Sequence, residues 1–435
     1  MVKTDILIIG AGAAGLMAAY KLSAKYKNVI VLEAHDRIGG RIHTIKSSRG
    51  DKIVELGAEF VHGDLPVTLN LLKEAGIVYG QAGGAMVRYK DDRFTKDEHF
   101  IEDWDLLIKK LDELIEDITL YDFLKQYFDE DKYKALRDSV IGFVSGYDTA
   151  DQRRASCFAL RKEWESEDDG AQHRIDAGYS TMIDYMADKI QSNGGKIHFN
   201  SIVKQVDWRA GDVKVITGNG VLYSAEKLVI ALPLGVLQAG KEERAAVAFH
   251  PAIQEQSRAI NDIGFGAIIK ILLEFDAPFW EQQDDNLKDM AFLFSDEEVP
   301  TWWTQAPHHS SLLTGWLGGP PAEDKKDMTD EELLQIALIS LSHIFKWSVD
   351  ELKARLSAWN IINWTTDPFT LGSYSYDTVP SHLAKAVLNK PVENTLFFAG
   401  EYLYEGAAMG TVEAALTSGD TVANMILRSD LGLSE

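Results

Sequence analysis

An apolar strand, a glycine turn and a helix open this chain as Ile6-Leu7-Ile8-Ile9-Gly10-Ala11-Gly12-Ala13-Ala14-Gly15. A second apolar segment ends in Val31-Leu32-Glu33, roughly 20 residues on, the spacing of a dinucleotide fingerprint. Gly10 permits the tight turn, Gly12 leaves the backbone open to a pyrophosphate, and Gly15 lets helix lie close on strand. The helix start, with Ala14 in its first turn, presents N–H groups and a positive dipole end to phosphate. Glu33, at the tip of the second strand, is placed to accept hydrogen bonds from a ribose diol. Strand, turn, helix, strand and acid in this order predict a doubly wound, Rossmann-like α/β domain.

The residues that follow extend the motif. Ala34-His35-Asp36-Arg37-Ile38-Gly39-Gly40-Arg41 pairs glycines with arginines, as a loop that wraps phosphate requires, and Glu55-Leu56-Gly57-Ala58-Glu59-Phe60-Val61-His62-Gly63 comes next. Near the other end stands Leu396-Phe397-Phe398-Ala399-Gly400-Glu401. Together these segments resemble the FAD-dependent amine oxidase family of monoamine oxidases, polyamine oxidases and the oxidase domain of lysine-specific histone demethylases. Further similarities keep the family's order: Asp176-Ala177-Gly178-Tyr179-Ser180, Leu232-Pro233-Leu234-Gly235-Val236-Leu237, Lys270 in an apolar strand, Trp364, Gly372-Ser373-Tyr374-Ser375 and Gly410-Thr411-Val412-Glu413.

The resemblance implies an FAD-binding domain assembled from residues 1–65, 194–249 and 364–435, interleaved with an α+β substrate domain from 66–193 and 250–363. It implies oxidation of a small amine by hydride transfer from its α-carbon to flavin N5, imine hydrolysis, and reoxidation by dioxygen to hydrogen peroxide. Cofactor contacts are expected from Gly10, Gly12, Ala14, Gly15, Glu33, Ala34, His35, Gly39, Gly40, Arg41, Gly57, Ala58, Val203, Trp364, Gly400, Glu401, Thr411 and Val412.

Lys270 lies in Ala267-Ile268-Ile269-Lys270-Ile271-Leu272-Leu273, and lysine is rarely buried without compensation. The family lysine at this place holds a water against flavin N5; a lysine snorkelling from a sheet edge is the plain alternative. Tyr374 stands where the family places one wall of an aromatic cage. Ser373 occupies the position of the cysteine that bonds FAD covalently in monoamine oxidases, so FAD is expected to be bound non-covalently. The second cage wall is usually a tyrosine, and Thr411 replaces it, as in the histone demethylase version. His62 matches a histidine that vertebrate-type polyamine oxidases place beside the substrate amine; a loop histidine with no task is the plain alternative. Glu59 adds a carboxylate that either pairs with a second cationic nitrogen or is solvated. L-Amino-acid oxidases of the superfamily carry a carboxylate-gripping arginine at the place of Glu59, which disfavours amino acids unless another arginine substitutes. The competing readings are a desaturase or protoporphyrinogen-type oxidase, and an FAD-bearing scaffold with little turnover.

With 44 basic and 67 acidic residues the net charge is −23. That field repels nucleic acid and anionic membrane surfaces and draws cations, although acidity also serves solubility alone. The single cysteine, Cys157, excludes an internal disulfide and suits a reducing compartment; among Ala155, Ser156, Phe158 and Ala159 it reads as a small buried hydrophobe. No metal-ligand spacing is present, and no apolar run reaches the ~18 residues of a membrane span. Because the first strand starts almost at Met1 and the sequence stops at Leu433-Ser434-Glu435 soon after its last helix, neither a signal peptide nor a C-terminal anchor is expected. The expectation is a soluble, cytoplasmic protein; no heptad seam points to an oligomeric state. Within 66–193 the pattern reads as mostly helical, with Trp104, Leu107, Ile108, Leu111, Leu114, Ile115 and Ile118 forming a core-facing stripe.

Overall fold

All of the strand Ile6–Ile9 (β1) is buried, as an apolar segment covered on both faces must be. It forms a sheet with Val29–Leu32 (β2), Lys196–His198 (β3), Lys227–Ile230 (β4) and Leu396–Phe398 (β5), in the order β3-β2-β1-β4-β5. Every pairing is parallel, with Ile9 opposite both Leu32 and Ile230, and Ile230 opposite Phe398. The order reverses between β1 and β4, so the crevice beyond their carboxyl ends is a topological switch point.

Alternation along the strands divides the core. Ile6, Ile8, Val29 and Val31 face a cluster that includes Leu16, Met17, Met182 and Leu416, from the helices Ala13–Ser23 (α1), Ser180–Ser192 (α2) and Val412–Asp430 (α3). Leu7, Ile9, Ile30 and Leu32 face the opposite cluster, with Val206, Val213 and Tyr223. These last three belong to a second five-stranded sheet that contains Val203–Arg209, Asp212–Thr217 and Leu222–Ala225.

The computed structural model describes residues 1–26, 28–47, 53–63, 65–96, 101–165 and 172–431; the last three positions named above, Leu433-Ser434-Glu435, lie outside them. The chain divides into two compact units, Met1–Tyr79 with Lys162–Phe265 and Asp367–Glu435, and Gly80–Arg161 with Gly266–Thr366. Residues 66–79 and 162–193 thus lie in the unit of the nucleotide-type sheet, because the helix Pro66–Ala75 packs on α2 and α3, and α2 packs on α1.

In the second unit a seven-stranded sheet runs in the order Leu356–Asn363, Ile268–Phe275, Leu312–Gly318, Thr301–Trp303, Met290–Phe294, Ala85–Lys90, Arg93–Lys96. The helix Asp330–Phe345 begins on a capping box of Thr329 and Glu332 and buries Leu333, Ala337 and Leu341 in this unit's core. Helices predominate among the described residues of 66–193, as expected, but a hairpin is added and the apolar stripe stops short. The strands Ala85–Lys90 and Arg93–Lys96 form a hairpin whose turn residues Asp91 and Asp92 take φ of 51° and 59°, the left-handed pair that a tight hairpin needs. The stripe helix ends at Asp112, and Ile115 is 92% exposed; Asp117 draws the chain away by accepting from Ser156 Oγ and the Phe158 amide. Among the described residues no helix is long and apolar enough to cross a membrane.

Candidate active site

The glycines after β1 have different surroundings. A Cβ on Gly10, which has φ +103°, would lie 2.4 Å from the Ala231 carbonyl oxygen, and one on Gly15 would lie 2.0 Å from that of Gly10. A Cβ on Gly12 would meet nothing within 4 Å. Gly12 is also the N-cap of α1 and has no side chain to satisfy the helix's first N–H groups. The Gly39 amide donates to the Ala11 carbonyl at 2.8 Å, and Gly40 lies close enough for its Cβ to approach Gly12 Cα at 3.4 Å. An open backbone face, an uncapped helix start and the loop carrying Arg41 therefore converge, a donor set that fits a dinucleotide pyrophosphate.

Glu33 is buried, and its two carboxylate oxygens accept from the Ala11 and His35 amides, each at 2.8 Å. Ala34 lies between these bonds, and the His35 ring meets Phe369 edge-on at 4.8 Å. The Glu33 carbonyl accepts from the Ser201 amide at 2.7 Å, near buried Val203.

A second convergence joins distant segments of the same unit. Arg41 donates to Glu401 at 3.0 Å and to the Ser373 carbonyl. Glu401 also accepts from Ser375 Oγ at 2.6 Å. The Ala58 amide, following Gly57, donates to the Arg41 carbonyl at 3.1 Å, and the Gly400 amide donates to Ser418 Oγ at 3.0 Å. Tyr374 packs on Gly410, where a Cβ would come within 2.8 Å of its ring. Thr411 caps α3, its hydroxyl accepting from the Ala414 amide at 3.3 Å, and Val412 is the first helical residue. Sequence reasoning missed Glu413, whose carboxylate accepts from the Val67 and Thr68 amides at the start of the helix Pro66–Ala75 and from Thr68 Oγ. An acid in a first helical turn was the only signal.

The strand Val61–His62 pairs with Gln172–Ile175, placing Gln172 opposite His62. Burial holds the His62 imidazole neutral, pushing its pKa down to about 4. Glu59 is 7% exposed and lies 3.1 Å from Arg174, whose guanidinium stands over Phe60 at 4.4 Å. The carboxylate is therefore ion-paired rather than solvated, by an arginine that sequence reasoning missed.

In the second unit, Lys270 is 1% exposed within Ile268–Phe275, a strand buried throughout. It stands between Trp316 and Ile362 on its two neighbouring strands, so it is no edge lysine. Its ammonium lies 5.3 Å from the Trp303 ring centroid. The Ile268 amide donates to Thr365 Oγ1 at 2.8 Å, so buried Trp364 is joined to the start of the lysine strand. Trp302 is fully buried and donates to the Val299 carbonyl at 3.0 Å. Cys157 is buried, and burial pushes its thiol pKa up, as expected of an inert core cysteine.

A family model described as flavin containing amine oxidoreductase matches residues 13–82 and 84–427. The chain belongs to this family. It is 28% identical over 435 residues to lysine-specific histone demethylase 1B of Mus musculus, covering 91% of this chain and 50% of that protein. It is 28% identical over 457 residues to polyamine oxidase 2 of Arabidopsis thaliana, covering 95% and 86%. The chain thus spans about half the length of the two histone demethylases it matches from mouse and human. Among solved structures, wild-type putrescine oxidase bound to putrescine superposes with a TM-score of 0.81 at 20% identity, covering 98% of this chain and 99% of that one. Cyclohexylamine oxidase from Brevibacterium oxydans gives 0.79 at 21%, with the same coverage. At these identities the likeness concerns the fold, which is that of a flavin-containing amine oxidoreductase.

Proposed function

We propose that this flavin-containing amine oxidoreductase is an FAD-dependent oxidase of small amines. The observation that carries the reading is the convergence, in one unit, of the open Gly12 face, buried Glu33 and the Arg41–Glu401 pair. Gly10, Gly12, the start of α1 and the loop carrying Arg41 would hold the pyrophosphate, Glu33 a ribose diol, and Glu401 a ribityl or ribose hydroxyl. FAD held there would supply the redox chemistry, the two-electron oxidation of a C–N bond to an imine that water then hydrolyses, with dioxygen as the proposed acceptor of the electrons and hydrogen peroxide as its product. The chain's own part is positioning and exclusion of water. Tyr374 and Thr411 are the residues assigned to the flavin face, His62 to the substrate amine and Lys270 to ordering a water.

Neutral His62 suits an amine that must be unprotonated to react. Ser373 stands where a covalent cysteine would sit, so FAD is expected to be held non-covalently, and acid denaturation is expected to release it. The fully buried single cysteine accords with a cytoplasmic setting. Because Arg174 neutralises Glu59, Glu59 is a weaker barrier to a substrate carboxylate than its charge alone suggests. Amino acids therefore belong among the substrates tested.

The deciding experiment mixes the FAD-loaded protein anaerobically with monoamines, putrescine and longer polyamines, cyclic amines and amino acids, following the flavin absorption band. Rapid bleaching by one class establishes the activity and names the substrate. A band that no member bleaches overturns it in favour of a desaturase-type oxidase or a scaffold.

A further inference from the structure

The helix Ser381–Leu388 carries a lysine where its neighbours Ala384 and Leu388 enter an apolar core. Lys385 is 2% exposed, although lysine is among the residues least often buried. Its ammonium lies 2.7 and 2.9 Å from the two carboxylate oxygens of Asp377, 2.7 Å from the Tyr404 carbonyl oxygen and 3.7 Å from Met409 Sδ. A well-packed apolar pair can serve stability as well as a buried ion pair does, so the bond to Tyr404 is the contact that an apolar replacement cannot supply.

Tyr404 follows the short helical turn Glu401–Leu403 and opens the segment that ends at the α3 cap, Thr411. Lys162 also donates to this segment, at the Glu405 carbonyl. At its far end the Thr411 hydroxyl donates to the Ala408 carbonyl at 2.7 Å. There Gly410, with φ +69°, packs against the Tyr374 ring. One end of the segment is thus tied to a buried cation, and the other sets two side chains.

We propose that the Lys385–Asp377 pair is a positioning device: it fixes the segment Tyr404–Gly410 and, through Gly410, sets the Tyr374 ring and Thr411 at the flavin face. This rests on the amine oxidase reading for the flavin face and for the kinetic consequence; the contacts that run from Lys385 and Asp377 to Tyr404, and from Gly410 to Tyr374, stand without it.

The test compares Lys385→Met and the double variant Asp377→Leu/Lys385→Met with the wild-type holoenzyme. The readouts are FAD content, thermal stability, the visible circular dichroism of bound flavin, and kcat and KM for the amine found above. The double variant is expected to be more stable than Lys385→Met, because no buried charge is left unpaired although the Tyr404 carbonyl loses its lysine donor, and to retain FAD. Its flavin dichroism is expected to stay altered, with kcat/KM about tenfold or more below wild type, the scale of effect of a misplaced active-site wall. Wild-type dichroism and kinetics in a stable double variant would show that the pair serves stability alone and overturn the proposal. Should no amine bleach the wild-type flavin, the amine oxidase reading fails by itself, while the dichroism still decides whether Lys385 shapes the flavin face.

Discussion

Arg41 and Glu401 stand 360 positions apart in the chain and meet at 3.0 Å. Glu401 is 4% exposed and also holds Ser375, while Arg41 donates to the Ser373 carbonyl. One ion pair therefore ties the glycine-rich loop to the Gly-Ser-Tyr segment and to the end of β5.

Glu401→Gln keeps the shape and removes the charge that balances Arg41. With Arg41 side chain 26% exposed, the expected cost is about 2 kcal/mol, below the roughly 3–5 kcal/mol of a fully buried pair. Urea denaturation of the FAD-free protein measures this, and FAD titration is expected to show weaker binding. Unchanged values in both would mean that the pair organises nothing.

Gly12→Ala and Gly15→Ala are expected to behave oppositely. Gly12 has φ −76° and open space at its Cβ position, so FAD-free stability is expected to change by no more than about 0.5 kcal/mol while FAD binding weakens sharply. A Gly15 Cβ would lie 2.0 Å from a backbone oxygen, so that variant is expected to lose about 2 kcal/mol or more. Thermal melts with and without FAD separate the two.

Burial pushes both His62 and His43 down to about 4, with Arg37 adding to the effect at His43. The unfolded chain binds protons at these residues near about 6.5 while the folded chain does not. Their effect on stability is therefore absent above about pH 6.5, and stability falls as pH drops towards about 4. Urea midpoints at a series of pH values test this, and His62→Gln is expected to flatten part of the slope. A wild-type slope in that variant would show that His62 is not held neutral.

Lys270→Met fills a similar volume in a fully buried strand. It is expected to keep FAD and to slow flavin reduction, reoxidation or both by about tenfold or more, a general acid–base or electrostatic scale of effect. Stopped-flow absorbance reads both half-reactions, and unchanged rates would remove Lys270 from the chemistry.

Much of the nucleotide-type fold was legible in particular residues. Ile6 to Glu33 form the strand, turn, helix and strand that their spacing predicts, and Lys270 is buried in a strand. The hairpin at Asp91-Asp92 was harder to read, because neither residue is the glycine that most often marks a left-handed turn. The stripe from Trp104 kept its apolar spacing beyond Asp112, but bonds from Asp117 to Ser156 and Phe158 drew the backbone elsewhere.

The sequence by itself determined what depends on near neighbours: the tight turn at Gly10, the helix that Gly12 begins, the parallel strands on either side, and the burial of Cys157. Only the tertiary structure decided which charged and polar groups meet. Arg174 finding Glu59, Glu413 reaching Thr68, and Lys385 holding Asp377 and Tyr404 all depend on ångström-scale placement by packed helices and sheets. Short-range electrostatics and hydrogen bonds fall away over such distances, so residue spacing along the chain carries little trace of these pairings.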